Sequence, residues 1–195
     1  MTTTSTYAFD PQLAEIIDES SERAGIEPAT LGASHLKSIF RSLKFMLNSE
    51  WSTLGIRQWM IQQEEQPLIV GQRSFDLPIG AIDCIAAVLR RQGQDTEMNM
   101  ISRNEYLTIV NKTDTGRPDR FYVDRQASAK TFWFWQASEN TSDIIIYDYF
   151  RQMQDVGNMT NTVQAPTYAM DALCAGLAAA IARKFNRQLF TQLQV

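Results

Sequence analysis

The chain has 195 residues, 44% hydrophobic and 21% charged, with a formal net charge of −4 at pH 7. Those values suit one large globular domain, or a core with an appendage, and exclude wholesale disorder. No block of Lys or Arg occurs, which argues against clamping duplex DNA by clustered phosphate neutralisation; a mildly acidic surface suits a protein that nucleic acid passes without sticking.

The opening MTTTSTYAFDP lacks the charged-then-apolar pattern of a signal peptide. The longest apolar run, ALCAGLAAAIA at 172–182, is well short of the roughly 20 residues that span a bilayer. A soluble chain, intracellular when made, is expected. Asp10 as N-cap and Pro11 at the first helical position predict a first helix, with Leu13, Ile16 and Ile17 as its apolar stripe and Ala24-Gly25 as its end. A second helix is predicted from near Ser34 to Gly55. Its stripe is Leu36, Phe40, Leu43, Leu47, Trp51 and Leu54, widened by Ile39 and Met46.

From about residue 58 the period changes to two. Trp59 and Ile61, Leu68–Val70, Ser74–Leu77, Ile82–Leu89 and Met98 with Met100 read as short strands, punctuated by Gly71, Pro78, Gly80 and Gly93. SRNEYLTIV at 102–110 interrupts them with a capping box, Ser102 and Glu105, and so predicts a short helix. Strands follow at Arg120–Asp124, Thr131–Gln136 and Ile144–Phe150, then a long polar loop over 151–165. The last helix starts at Pro166. Met170, Leu173, Leu177, Ile181, Phe185 and Leu189 line one face, alanines and Gly176 cover much of the rest, and Arg183, Lys184 and Arg187 complement the helix dipole in its last turns.

This order predicts an α+β fold: terminal α-helices packed as a helical layer, with an inserted small antiparallel β-sandwich or barrel-like lobe. One domain over 1–195 is expected, with helical parts at about 10–56 and 166–190 and the β lobe at about 57–151.

Chemistry is sparse. The single histidine, His35, lies near no motif, and a surface or capping role is expected. Cys84 and Cys174 sit in apolar settings and read as structural thiols, with one long-range disulfide as the alternative. Neither a GxxxxGK[ST] loop nor GxGxxG occurs, and GIEPATLG reads as a helix–helix connection. Asp76, Asp83, Asp143 and Asp148 offer chance carboxylate pairs only. No catalytic residue, cofactor site or metal site is expected, and the chain is read as not an enzyme.

Two stretches stay open. NKTDTGRPDRFYVDR at 111–125 is either a basic and aromatic contact, through Arg117, Arg120 and Arg125, or a turn whose charges are solvated. TFWFWQ at 131–136 puts Phe132 and Phe134 on one face of a strand and Trp133 and Trp135 on the other. A strand with one wet face alternates apolar with polar, so the second face needs a cover.

FDPQLAEIIDESSERAGIEP, VGQRSFDLPIGAIDCIAAVLRR, NKTDTGRPDRFYVDRQ and RQMQDVGNMTNT, in that order, resemble the head-to-tail adaptor proteins of tailed bacteriophages, also called tail accessory or head-completion proteins. The likeness covers most of residues 7–187 and lies in order and spacing rather than in one motif. It implies a structural subunit of a homo-oligomeric ring, usually of twelve copies, docked under the portal. That ring extends the DNA channel and gives tail or nozzle proteins a platform. DNA passes without specific binding, and no membrane is involved. The implied location is the virion neck, with assembly in the host cytoplasm. Relatives often continue past the last helix into a charged C-terminal extension, whereas FTQLQV closes this sequence; either the helix end carries the dock or the dock differs.

On this resemblance, the second face of TFWFWQ is covered by the terminal helices or by another subunit, and at least one of Trp133 and Trp135 is assigned to a subunit or portal interface. Arg117 and Arg120 flank it, Asn158 and Asn161 in the long loop meet a neighbour or the portal, and Lys184, Arg187 and Phe190 form a basic and apolar tip facing the portal. The alternative is a single-stranded nucleic-acid-binding module using the aromatic strand as a stacking platform. An enzyme with a composite carboxylate site ranks third.

Overall fold

The structure, a computed structural model, describes residues 9–50, 58–127, 129–186 and 188. It is a mixed α+β fold. In chain order the elements are α1 (Leu13–Arg23), α2 (Ala33–Phe45), β1 (Ile61–Pro67), β2 (Ser74–Asp76), β3 (Ala81–Arg91), β4 (Gln94–Met100), α3 (Arg103–Thr108), β5 (Thr115–Gly116), β6 (Arg120–Arg125), β7 (Lys130–Trp135), β8 (Ala137–Ser138), β9 (Ile144–Arg151) and α4 (Thr167–Phe185). Two compact units result: Met60–Gln152 form one, and Met1–Trp59 with Met153–Val195 form the other.

In the helical unit, Asp10 and Pro11 do not start α1. Gln12 occupies the N-cap position and no side chain caps the helix. The first amides instead donate to the 151–165 segment, Leu13 N–H to the Asn161 carbonyl at 2.9 Å and Ala14 N–H to that of Met159 at 3.1 Å. A capping side chain is dispensable where another backbone supplies the acceptors. The C-terminus follows expectation. Gly25 takes φ 70°, its amide meets the Glu22 carbonyl and the Ile26 amide that of Ser21, both at 2.9 Å, which is a Schellman closure.

The stripe of α2 is the expected one, but shallower at two positions. Ile39, Leu43, Met46 and Leu47 are buried, while Leu36 and Phe40 are half-buried. From Met46 to Glu50 the helix widens into a π turn. Trp51, Leu54 and Gly55, assigned to the same helix, lie outside the described residues. The last helix starts at Thr167, with Pro166 as its N-cap residue. It touches both other helices of the unit: Arg23 pairs with Asp171 at 2.9 Å, and Lys184 donates to Ser38 and Ser42 of α2. Among the described residues no helix is long and apolar enough to cross a membrane.

The other unit is built on one curled seven-stranded sheet, a half-barrel, in the order β1-β9-β3-β4-β6-β7-β2. It is not wholly antiparallel. β4 and β6 run parallel, Asn99 opposite Arg120 and Met100 opposite Phe121, because the segment carrying α3 returns the chain to the start of its neighbour rather than turning back along it. Leu68–Val70 form no strand: Leu68 is buried, but Ile69 and Val70 are exposed in the turn after β1. Gln92 and Gly93 link β3 to β4 with φ 52° and 79°, the left-handed pair of a type I′ hairpin.

The concave face holds the core, with Leu89, Phe121, Phe132, Phe134, Ile145, Tyr147 and Tyr149 at most 3% exposed. The Tyr147 hydroxyl donates to Glu64 of edge strand β1 at 3.2 Å, and that of Tyr149 lies 3.0 Å from Gln62 Oε1. Burial, with the Glu64 charge second, holds the Tyr147 phenol well above its ordinary value. Polar side chains turned inward on an edge strand discourage edge-to-edge pairing.

Candidate functional site

The strand TFWFWQ becomes β7, and its alternation is the expected one. Phe132 and Phe134 are buried in the core, while Trp133 and Trp135 are half-buried on the convex face. The register with β6 sets Tyr122 opposite Trp133 and Arg120 opposite Trp135, so the four side chains share that face.

Part of the cover comes from α3, which neither the terminal helices nor a neighbour need supply. The capping box is present: the Glu105 amide donates to Ser102 Oγ at 3.2 Å and the Ser102 amide to Glu105 Oε2 at 2.6 Å. These bonds hold the Glu105 carboxyl below its ordinary value. The helix presents Tyr106, 7% exposed, whose ring lies 4.6 Å from that of Tyr122 and 6.1 Å from that of Trp133. Past α3, the Asn111 carbonyl accepts the indole N–H of Trp135 at 2.9 Å. The Arg120 guanidinium sits 5.1 Å over the same indole and 3.4 Å from Asp119. A Cβ at Gly116 would come 2.1 Å from Gln136 Oε1, so the Gln136 side chain would have to move aside.

Ser102→Ala should cost about 1 kcal/mol and loosen Tyr106 over Trp133. The Glu105 share of the box is complete above the ordinary carboxylate range and is lost as pH falls through its lowered value. Near-ultraviolet circular dichroism reads both effects, and a spectrum identical to wild type down to acid pH would contradict them.

Of the assigned residues, the structure brings Trp133, Trp135 and Arg120 together. Arg117 is elsewhere: it donates to the Thr96 hydroxyl, and Thr96 pairs with Leu89, which places it on the core face of the sheet. Asn158, Asn161 and Lys184 belong to the helical unit. Asn158 and Asn161 are exposed, with the Asn161 amide 3.1 Å from the Asn158 carbonyl. In the same segment Met153, Val156 and Val163 are buried. Arg187 and Phe190 lie outside the described residues. Tyr106, Tyr122 and Asn111 were not assigned beforehand, although the capping box placed α3.

His35 is exposed, edge-on to Phe185 at 5.1 Å. Cys84 and Cys174 are both free and buried; burial, with the Asp83 charge second, pushes the Cys84 thiol up to about 12. Asp83 holds Arg125 bidentately at 3.0 and 2.9 Å, Asp143 holds Arg91, Asp76 accepts from Thr131 and Asp148 from Gln63. Among the described residues no cluster of His, Cys, Asp and Glu is arranged to hold a metal ion.

A groove of about 520 Å³ opens beside this face, where the end of β4 and the start of α3 part from the second half of β6. Compared with known proteins, the chain matches no family model and no curated relative.

Proposed function

We propose that the chain is a structural subunit of a phage head-to-tail connector, a ring of twelve copies under the portal that extends the DNA channel and gives the tail its platform. In this reading α1, α2 and α4 form a helical layer, the half-barrel is the inserted lobe, and the chain catalyses nothing. Its partners are further copies of itself, the portal protein and tail or nozzle proteins, in the virion neck.

The observation that carries the reading is the half-buried pair Trp133 and Trp135 on the convex face. Aromatic residues are enriched and charges depleted in the core of an interface, and the Arg120 and Asp119 beside Trp135 already answer one another. The extended sequence resemblance and the net charge of −4 support it further. Rings close through head-to-tail contacts between unlike faces, and the free edges β1 and β2 of the sheet are unlike in length and charge.

Native mass spectrometry of the chain, with and without the portal protein of the same virus, tests the proposal. The chain alone should be largely monomeric at low micromolar concentration and assemble on addition of portal. Trp133→Ala and Trp135→Ala should cripple assembly while leaving most of the monomer's stability. A chain that ignores portal but binds single-stranded oligothymidine in a salt-dependent way would replace the ring with the stacking-platform alternative.

A further inference from the structure

We infer that the groove between the end of β4 and the second half of β6 is a strand-addition site for an extended polypeptide carrying a carboxylate. The argument starts from the ladder. In an antiparallel pair, residues alternate between exchanging both backbone bonds with their partner and turning both away. Phe134 N–H donates to Arg73 at 2.9 Å and the Lys130 carbonyl accepts from Leu77 at 2.8 Å. Both residues of β7 thus turn away from β6, and so does Phe132 between them. Their partners Phe121, Val123 and Arg125 therefore turn their own N–H and C=O groups away from β7.

For Phe121 that direction is filled, its carbonyl accepting from Ile101 N–H at 2.8 Å. Pairing of β4 with β6 stops at Met100 and Phe121, and the chain departs into α3. Val123 and Arg125 have no backbone partner on that side among the described residues, and both line the groove. Val123 is only 5% exposed. A buried strand residue with an unanswered donor and acceptor is costly, and a peptide laid along the line that β4 abandons answers both. The unpaired stretch, Tyr122–Arg125, is about 13 Å long at roughly 3.3 Å per residue.

Charge selects the occupant. On the convex rim, Arg103 is 66% exposed, and its nearest carboxylate oxygen, on Asp124, is 3.8 Å away, beyond hydrogen-bond distance. Arg125 is already held by Asp83. An added strand alternates its side chains across the sheet, so one outward carboxylate meets Arg103 while its inward neighbours meet the apolar side of Met100 and Val123. The site is independent of the ring reading, since it requires only an exposed acidic β-segment on a partner.

Amide exchange on the whole chain, with acetyl-Val-Glu-Val-Glu-Val-amide as probe, tests it. Without peptide, Val123 should exchange at least about tenfold faster than Tyr122, whose amide is in the β7 ladder. Saturating peptide should slow Val123 about tenfold. The same peptide N-methylated on alternate residues should give no protection. Arg103→Gln, or Gln for Glu in the peptide, should weaken binding roughly two- to fivefold, as for an exposed ion pair. Val123 as slow as Tyr122 in the free chain would show that the edge is already satisfied. Failure of the peptide to protect Val123, or equal binding of the N-methylated form, would also overturn the site. Protection that rises with protein concentration alone would assign the groove to a second copy and overturn the acidic partner.

Discussion

Replacing Phe132 with alanine is expected to lower the unfolding free energy by about 3–5 kcal/mol. The ring is fully buried and stacked on both sides, 4.7 Å from Phe121 and 4.8 Å from Phe75, with Tyr147 at 5.8 Å. Those neighbours belong to β6, β2 and β9, so the walls of the resulting cavity are held apart by backbone ladders and collapse little. Phe132→Leu keeps most of the volume and should cost no more than about 1.5 kcal/mol. Two compact units need not unfold together, so bulk denaturation is best read with amide exchange at Phe121 and Tyr147, which reports the half-barrel itself. A loss below about 1 kcal/mol for the alanine variant would mean that the aromatic stack is loosely filled and does not organise the lobe.

Arg91→Met is expected to cost about 3–5 kcal/mol, although it replaces a charge with an apolar side chain of similar length. Asp143 is completely buried and is met by Arg91 through Nε at 2.8 Å and Nη2 at 2.6 Å, while Arg91 Nη1 reaches Glu139 at 2.6 Å. The Asp143 hydrogen bonds, with Glu139 in support, hold the guanidinium well above even the ordinary arginine value, so it stays charged at any working pH. Removing it strands a carboxylate in the interior. The cost belongs to the stranded charge more than to the attraction lost, so Arg91→Met with Asp143→Leu should recover much of the stability. A double variant no better than the single one would instead make the pair a net stabiliser of the junction that Asp143 also holds through its carbonyl bond to the Leu68 amide.

What was legible in the sequence divides by the reach of the interaction. Ser102 and Glu105 are three residues apart and bond each other, so their capping box was read correctly. Gly25 closes α1 within one turn, and the strands β6, β7 and β9 carry their own period. The start of α1 was misread because its acceptors come from Met159 and Asn161, which no local pattern announces. Among the described residues, the α2 stripe held at Ile39, Leu43, Met46 and Leu47 and fell short only at Leu36 and Phe40, which are half-buried. The parallel step from β4 to β6 depends on where a crossover lands, which composition does not encode. At the candidate site, the two faces of β7 were evident from alternation, but the cover of Trp133 and Trp135 was not: the capping box fixes where α3 starts, not that Tyr106 and Asn111 fold back over β7.

The pairing of β1 with β9 bears on how such a chain is put together. Ile61 lies directly opposite Phe150, so the half-barrel receives and returns the chain at neighbouring strand positions, about 5 Å apart. The entropy of closing a flexible loop grows with its length, but a folded insert presents only the distance between its ends. To the helices on either side, the entire lobe is topologically a hairpin turn. It can be enlarged, trimmed or exchanged for another fold with adjacent ends at little cost to closure, which leaves the two parts of the chain free to diverge at different rates.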